Sequence, residues 1–207
     1  MNKKPILTYI KQLKRPVFTT HEICVLSGKS SSAVVQALNN LAENELVFKI
    51  YRGIWAETGS VKLNPYSVVP FLFPKQRAYV SFISALHLHG MLEQIPQIIT
   101  LASTVHTRTI RTKLGVFYVH KVSPALFGGF VWYKEKGNFL IAKPEKALID
   151  ALYLSACKKK QFGHFPELHL TKKFDIKKAK YWIGRIPNDK IRIYVNRKLK
   201  AILSGKV

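Results

Sequence analysis

The stretch that leaves this chain the least freedom runs from Thr19 to Ala56. Thr19-Thr20-His21-Glu22 has the T-x-x-E spacing of a capping box. In such a box the threonine hydroxyl accepts from the backbone N–H three residues on, and the glutamate reaches back to the N–H at the cap. A helix therefore starts here. It continues through Ile23, Cys24, Val25 and Leu26, and Gly28 ends it, because glycine takes the left-handed conformation without a Cβ penalty. Ser30, Ser31 and Ser32 offer N-caps for a second helix reaching about Asn44. At helical spacing Val34, Leu38, Leu41, Ala42 and Glu45 fall on one side, mostly apolar, while Ser32, Gln36, Asn39, Asn40 and Glu43 fall on the other. One face packs and the other is free.

Leu46 to Ile50 and Ile54 to Ala56 read as two short strands around Tyr51-Arg52-Gly53. Helix, turn, helix and hairpin in that order are the plan of a winged helix-turn-helix. Amides and hydroxyls on the free face can pair with base edges in a major groove, Gln and Asn with adenine in particular. The candidate DNA contacts are then Ser31, Ser32, Gln36, Asn39 and Asn40 on the second helix, with Lys29 in the turn before it. Lys49, Tyr51 and Arg52 stand at the wing, where cations and a phenol meet phosphate or minor groove. A solvated helix face has the same composition, and winged helices also dock proteins.

Charge tips the balance toward a polyanion. Thirty-four Lys and Arg against eleven Asp and Glu leave +23, a field poorly suited to a neutral small-molecule site. Residues 156–207 alone hold fifteen of those cations against three acids. A winged helix by itself leaves that skew unaccounted for, so a second phosphate-binding surface is expected in the C-terminal part, with an acidic protein partner as the rival account.

The remaining chain reads as α+β. Ile6, Ile10 and Leu13 predict a first helix ending before Arg15-Pro16, and Val17-Phe18 a short strand. Glu57 to Pro74, interrupted by Gly59, Pro65, Pro70 and Pro74, predicts a docked connector holding the domain boundary, set after residue 60. Residues 61–207 are expected to form a mixed domain with short antiparallel strands. Tyr79 onward predicts a helix closed by Gly90; Ile98–Ala102 a strand; Thr109–Arg111 with Val116–Val122, and Gly129–Lys134 with Phe139–Ile141, two hairpins around Gly115 and Gly137. Pro144 opens a helix with Ala147, Leu148, Ala151, Leu152 and Leu154 as its apolar positions. After a loop to about Thr171, two basic helices follow, Asp175–Ile186 and Asp189 to about Leu203, the last ending at Gly205. Lys177, Lys178, Lys180, Arg192, Arg197 and Lys200 are the candidate secondary phosphate contacts on their exposed sides.

Several of these segments resemble the AbiEi antitoxins, the regulator halves of type IV toxin–antitoxin and abortive-infection operons. The likeness lies in the Ser84-Ala85-Leu86-x-x-His89-Gly90 helix with its aromatic lead, the Gln94-Ile95-Pro96 exit, Phe127-Gly128-Gly129, and the run Ile141-Ala142-x-Pro144-Glu145-Lys146-Ala147-Leu148-Ile149-Asp150. With the N-terminal unit it covers most of the chain. These are scaffold motifs without catalytic content. The resemblance implies negative autoregulation of a two-gene operon through upstream repeats, and neutralisation of a co-encoded nucleotidyltransferase-like toxin by the C-terminal domain.

Catalytic patterns are missing from the sequence. No E-x-K follows an acid as metal-dependent nucleases require. Glu145 and Asp150 lie about 140° apart around a helix, which suits capping and surface roles. His87 and His89 point to opposite sides of theirs. There is no G-x-x-x-x-G-K, and Gly128-Gly129 sits among apolar residues where tight packing is expected. Cys24 and Cys157 are expected to be buried reduced thiols. Met1-Asn2-Lys3-Lys4 lacks the apolar run of a signal peptide. The expectation is a cytoplasmic, non-enzymatic DNA-binding repressor and antitoxin, with no cofactor, metal or membrane partner, acting on double-stranded operator repeats. A protein-binding antitoxin directed at an acidic toxin, or a nucleic-acid-processing enzyme with a winged-helix targeting domain, are the alternatives.

Overall fold

In the computed structural model, which describes residues 4–135, 138–157, 167–171 and 174–204, the chain is a mixed α+β protein with two sheets. Two compact units emerge. The first runs through Pro74 and takes in Arg111–Gly115 and Lys134–Phe139; the second comprises Lys75–Ile110, Val116–Tyr133 and the chain from Leu140 onward.

In the first unit the order is α1 (Ile6–Gln12), β1 (Val17–Thr19), α2 (Thr20–Ser27), α3 (Ser31–Glu43), β2 (Val47–Tyr51) and β3 (Ile54–Glu57). The capping box forms as expected: the Thr19 hydroxyl accepts from the Glu22 N–H and Glu22 accepts from the Thr19 N–H. Gly28 ends α2 at φ 64°. Strand β3 lies between β1 and β2, both antiparallel to it, pairing Phe18 with Trp55 and Lys49 with Trp55. Ile6 and Ile10 of α1 close over Phe18, Ile23, Val34, Leu38, Val47 and Trp55 to make the core. The connector is docked through a 3-10 helix, Pro65–Phe71, that buries Val68 and Val69. Arg15 stacks over Phe71 at 4.9 Å, and its guanidinium pairs with Glu22. Burial alone would raise the Glu22 carboxyl; hydrogen bonds from Arg15 and Thr19 outweigh it and hold the group below its ordinary value.

The second unit is built on a six-stranded sheet ordered β6-β7-β5-β4-β9-β8. Its strands are β4 (Ala78–Val80), β5 (Ile99–Ser103), β6 (Arg108–Thr112), β7 (Gly115–Lys121), β8 (Phe130–Tyr133) and β9 (Phe139–Ala142). The sheet is mixed where antiparallel strands were expected: β4 runs parallel to β9 and β5 parallel to β7, while β4 and β5 are antiparallel. The physical reason is that β6 turns back at the sheet edge, so β7 returns beside β5 in the same direction. Helix α4 (Phe82–Leu88) starts later than predicted, because Tyr79 and Val80 belong to β4. Helix α5 (Pro144–Ala156) packs against α4, α6 (Ile176–Gly184) and α7 (Asp189–Leu203). Asp175 caps α6 through the Lys177 and Lys178 N–H groups, and Asn188 caps α7 through that of Ile191.

Two expectations about buried groups are overturned. Cys157 is exposed at the C-cap of α5, and Cys24 is only half-buried. Glu145 and Asp150 are buried, not on the surface. The predicted turn glycines Gly137 and Gly205, and Lys158–Lys160, lie outside the described residues. Among the described residues no helix is long and apolar enough to cross a membrane.

Candidate nucleic-acid interface

Helix α3 is positioned by two side chains. Val34 and Leu38 are wholly buried, each contributing about 1.5–3 kcal/mol relative to exposure, and they fix the helix's rotation against the core. Ala37, Leu41 and Ala42 pack partly at their flanks. The opposite side is therefore presented to solvent: Ser32, Gln36, Asn39, Asn40 and Glu43 are exposed there, while Ser31, exposed in the first turn, stands in line with Val34 and Leu38. Ser30 caps the helix by accepting from the Ala33 N–H at 3.3 Å, and its hydroxyl lies 3.1 Å from that of Ser32.

Glu45 departs from the helical spacing read in the sequence. The helix stops at Glu43, the Asn44 amide donates to the Asn40 carbonyl at 2.7 Å, and Glu45 takes φ 57°. The chain then reverses, with the Leu46 N–H bonded to the Leu41 carbonyl at 3.0 Å. Glu45 is thus exposed beyond the helix end and forms no part of its packing face.

At the hairpin Val47 and Ile50 point inward, while Lys49, Tyr51 and Arg52 are exposed around Gly53. A register shift between Lys49 and Tyr51 twists the ribbon there. Lys49 Nζ sits 5.8 Å over the Trp55 ring, and the Trp55 indole N–H donates to the Thr20 hydroxyl at 3.0 Å, tying the hairpin to the start of α2. Lys29 is half-buried in the α2–α3 turn. Four of the expected contacts thus share one helix face, and three share one hairpin tip.

The C-terminal cations divide into two groups. Lys180 and Arg192 line a groove of about 290 Å³ between α6 and α7, with Ile183, Ile193 and Asn196. Lys177 and Lys178 line a separate cleft at the start of α6. Arg197 lies 5.8 Å over Tyr194, and Lys200 is exposed on α7. Two of the six are ion-paired: Arg192 pairs with Asp189 and also donates to the Ile186 carbonyl, and Lys178 pairs with Asp175. The Lys178 ammonium beside Asp175 leads the causes that hold its carboxyl below the ordinary range.

Sequence reasoning missed a buried polar centre in the second unit. Asp150 accepts from the Ser81 hydroxyl at 2.7 Å and from the Tyr79 hydroxyl at 3.1 Å, and pairs with Lys146, whose ammonium also donates to Tyr79 at 3.1 Å. Burial, reinforced by the Asp150 charge, pushes the Tyr79 hydroxyl well above its ordinary value; burial lowers the Lys146 ammonium against the pull of Asp150. Lys146, Asp150, Tyr79 and Ser81 are fully buried, and their bonds clamp α5 to β4. The signal was present as the i, i+4 spacing of Lys146 and Asp150 on an otherwise apolar helix. Because Ser81 serves Asp150, it supplies no side-chain cap to α4.

The two histidines near the end of α4 also have local partners, His87 with the Leu92 carbonyl at 3.1 Å and His89 with that of Ala142 at 2.7 Å. No protein-family model matches the chain, and no curated protein matches it.

Proposed function

We propose that this chain is a DNA-binding transcriptional regulator whose first unit is a winged helix-turn-helix. The observation that carries the proposal is the face of α3, anchored from behind by Val34 and Leu38, on which Ser32, Gln36, Asn39 and Asn40 stand exposed together. Hydroxyl and amide side chains on one helix face are the donors and acceptors that base edges require. Lys49, Tyr51 and Arg52 at the hairpin tip supply phosphate or minor-groove contacts. The +23 charge favours the same partner. By its resemblance to the AbiEi antitoxins, the operator consists of repeats upstream of its own gene, and the C-terminal domain neutralises a co-encoded nucleotidyltransferase-like toxin. Two bound copies on inverted repeats are the natural arrangement.

A second reading has its own observation. Val25 and Leu26 on α2 are 68% and 44% exposed, which favours a protein partner for this unit. In that reading the chain is an antitoxin acting on an acidic toxin by direct contact.

The test is binding of the full chain to the DNA upstream of its gene, against random DNA, over a range of salt. Gln36→Ala is expected to cost about 1–3 kcal/mol on the operator alone, whereas Arg52→Ala weakens all DNA alike and lowers the salt slope by about one. Equal losses on operator and random DNA for Gln36→Ala would sink the recognition-helix assignment. Tight toxin binding with no preference for the upstream DNA would favour the second reading.

A further inference from the structure

The cleft at the start of α6 has a chemistry that duplex binding does not call for. It measures about 410 Å³, within the range of small-ligand sites. Lys143 enters it from the N-cap of α5 and Glu145 from its first turn, and Lys177, Lys178, Tyr181 and Trp182 from α6. Its frame is braced by two bonds: the Lys143 N–H donates to the Gly129 carbonyl at 2.9 Å, and the Asp175 N–H to the Glu145 carboxylate at 3.0 Å. The two aromatic rings make a corner. Tyr181 and Trp182 stand 5.2 Å apart at 80°, and Trp182 is backed by Gly129. Tyr181 is 57% exposed and held in place by Arg185, which donates to its hydroxyl at 3.1 Å.

We propose that this cleft binds a free nucleoside phosphate whose base carries an exocyclic amine, stacking the base in the Tyr181–Trp182 corner and holding the phosphates with Lys143, Lys177 and Lys178. A flat ring can lie on one wall of such a corner and meet the other edge-on, an arrangement every base satisfies through its π-face. Lys177 and Lys178 precede Tyr181 by four and three residues, so their ammonium groups flank the ring on the same side of the helix. Among the described residues that line the cleft, Glu145, 4% exposed, is the one carboxylate. It repels phosphate and accepts from an amine, as carboxylates do with cytosine N4. That acid separates the proposal from a general phosphate patch, and it is independent of the α3 face.

The experiment is equilibrium binding of ATP, CTP and UTP to the full chain by calorimetry, with tripolyphosphate and a (dA)10 strand as competitors. ATP and CTP are expected to bind saturably, and UTP about tenfold more weakly for want of the amine. Tyr181→Ala is expected to weaken ATP about tenfold or more, with Tyr181→Phe restoring it. The pair Lys177→Gln/Lys178→Gln weakens ATP, while Lys190→Gln/Lys198→Gln, which removes equal charge elsewhere on the exposed surface, leaves it unchanged. All these residues are exposed, so circular dichroism should match the parent. The proposal is overturned by absence of saturable ATP binding, by tripolyphosphate binding as tightly as ATP, or by equal losses in the two lysine pairs. Competition by (dA)10 at far lower concentration than ATP would also overturn it, assigning the cleft to a strand.

Discussion

Gly129→Ala tests how tightly the second unit is packed where β8, α5 and α6 meet. Gly129 holds φ +70°, and a Cβ there would stand 2.5 Å from Trp182 Cζ2, 2.9 Å from Cε2 and 3.0 Å from Lys146 Cγ. The left-handed backbone costs an alanine about 1–2 kcal/mol. The overlap adds about 1–3 kcal/mol, the usual range for an overpacked core. Lys146 cannot easily yield, because its ammonium is held by Asp150 and Tyr79. The expected loss is therefore about 2–5 kcal/mol, measured by urea unfolding followed by far-ultraviolet circular dichroism. Gly128→Ala is the control: its Cβ would lie 3.1 Å from Trp182 Cη2 without a left-handed backbone, so about 1 kcal/mol is expected. In a Trp182→Ala background, Gly129→Ala should lose the indole overlap but keep the backbone part, about 1–2 kcal/mol, and the approach to Lys146 Cγ, so its cost should fall below that in the parent. A Gly129→Ala loss under about 0.5 kcal/mol, the size of an ordinary surface change, would refute the reasoning.

Asp150→Ala leaves the Lys146 ammonium buried without its counter-charge and is expected to cost about 3–5 kcal/mol, whereas Lys146→Met with Asp150→Leu should recover much of that; denaturant midpoints of the two variants decide it. Thr19→Ala removes the cap of α2 and should cost about 1 kcal/mol by the same assay. Glu22 sets a pH dependence. Its folded-state carboxyl lies below the ordinary 4.5, so its contribution is complete above that value and is lost as pH falls below it through the folded-state value. Stability measured between neutral and acid pH should show a flatter fall for Glu22→Gln than for the parent, and parallel curves would contradict the assignment.

Much of the first unit is legible in the sequence because its signals are local. The capping box, the Gly28 stop, the Ser30 cap and the hairpin around Gly53 each depend on residues no more than a few positions apart, and each forms as read. The rotation of α3 follows from helical spacing, which is why its free face could be named; Glu45 escaped because a left-handed turn ended the periodicity. In the second unit the Asp175 cap was equally local, and the last helix starts at Asp189 as read, with Asn188, read only as part of the turn before it, as its cap.

Burial is decided at a distance. Lys146 and Asp150 have the spacing of an ordinary surface ion pair, and only Tyr79 and Ser81, about seventy residues earlier, convert them into a sealed centre. The parallel pairings of β4 with β9 and β5 with β7 likewise join strands whose sequences carry no mark of their neighbours. The cleft of Lys143, Glu145, Lys177 and Tyr181 exists because the Glu145 carboxylate meets the Asp175 N–H thirty residues on. By itself the sequence determined the elements, their caps, the free face of α3 and the basic character of the tail, since each depends on spacing and charge along one segment. Which charges are hidden, which strands pair and where two helix starts enclose a cleft were decided only by the tertiary structure, because desolvation and close packing depend on residues far apart in the chain.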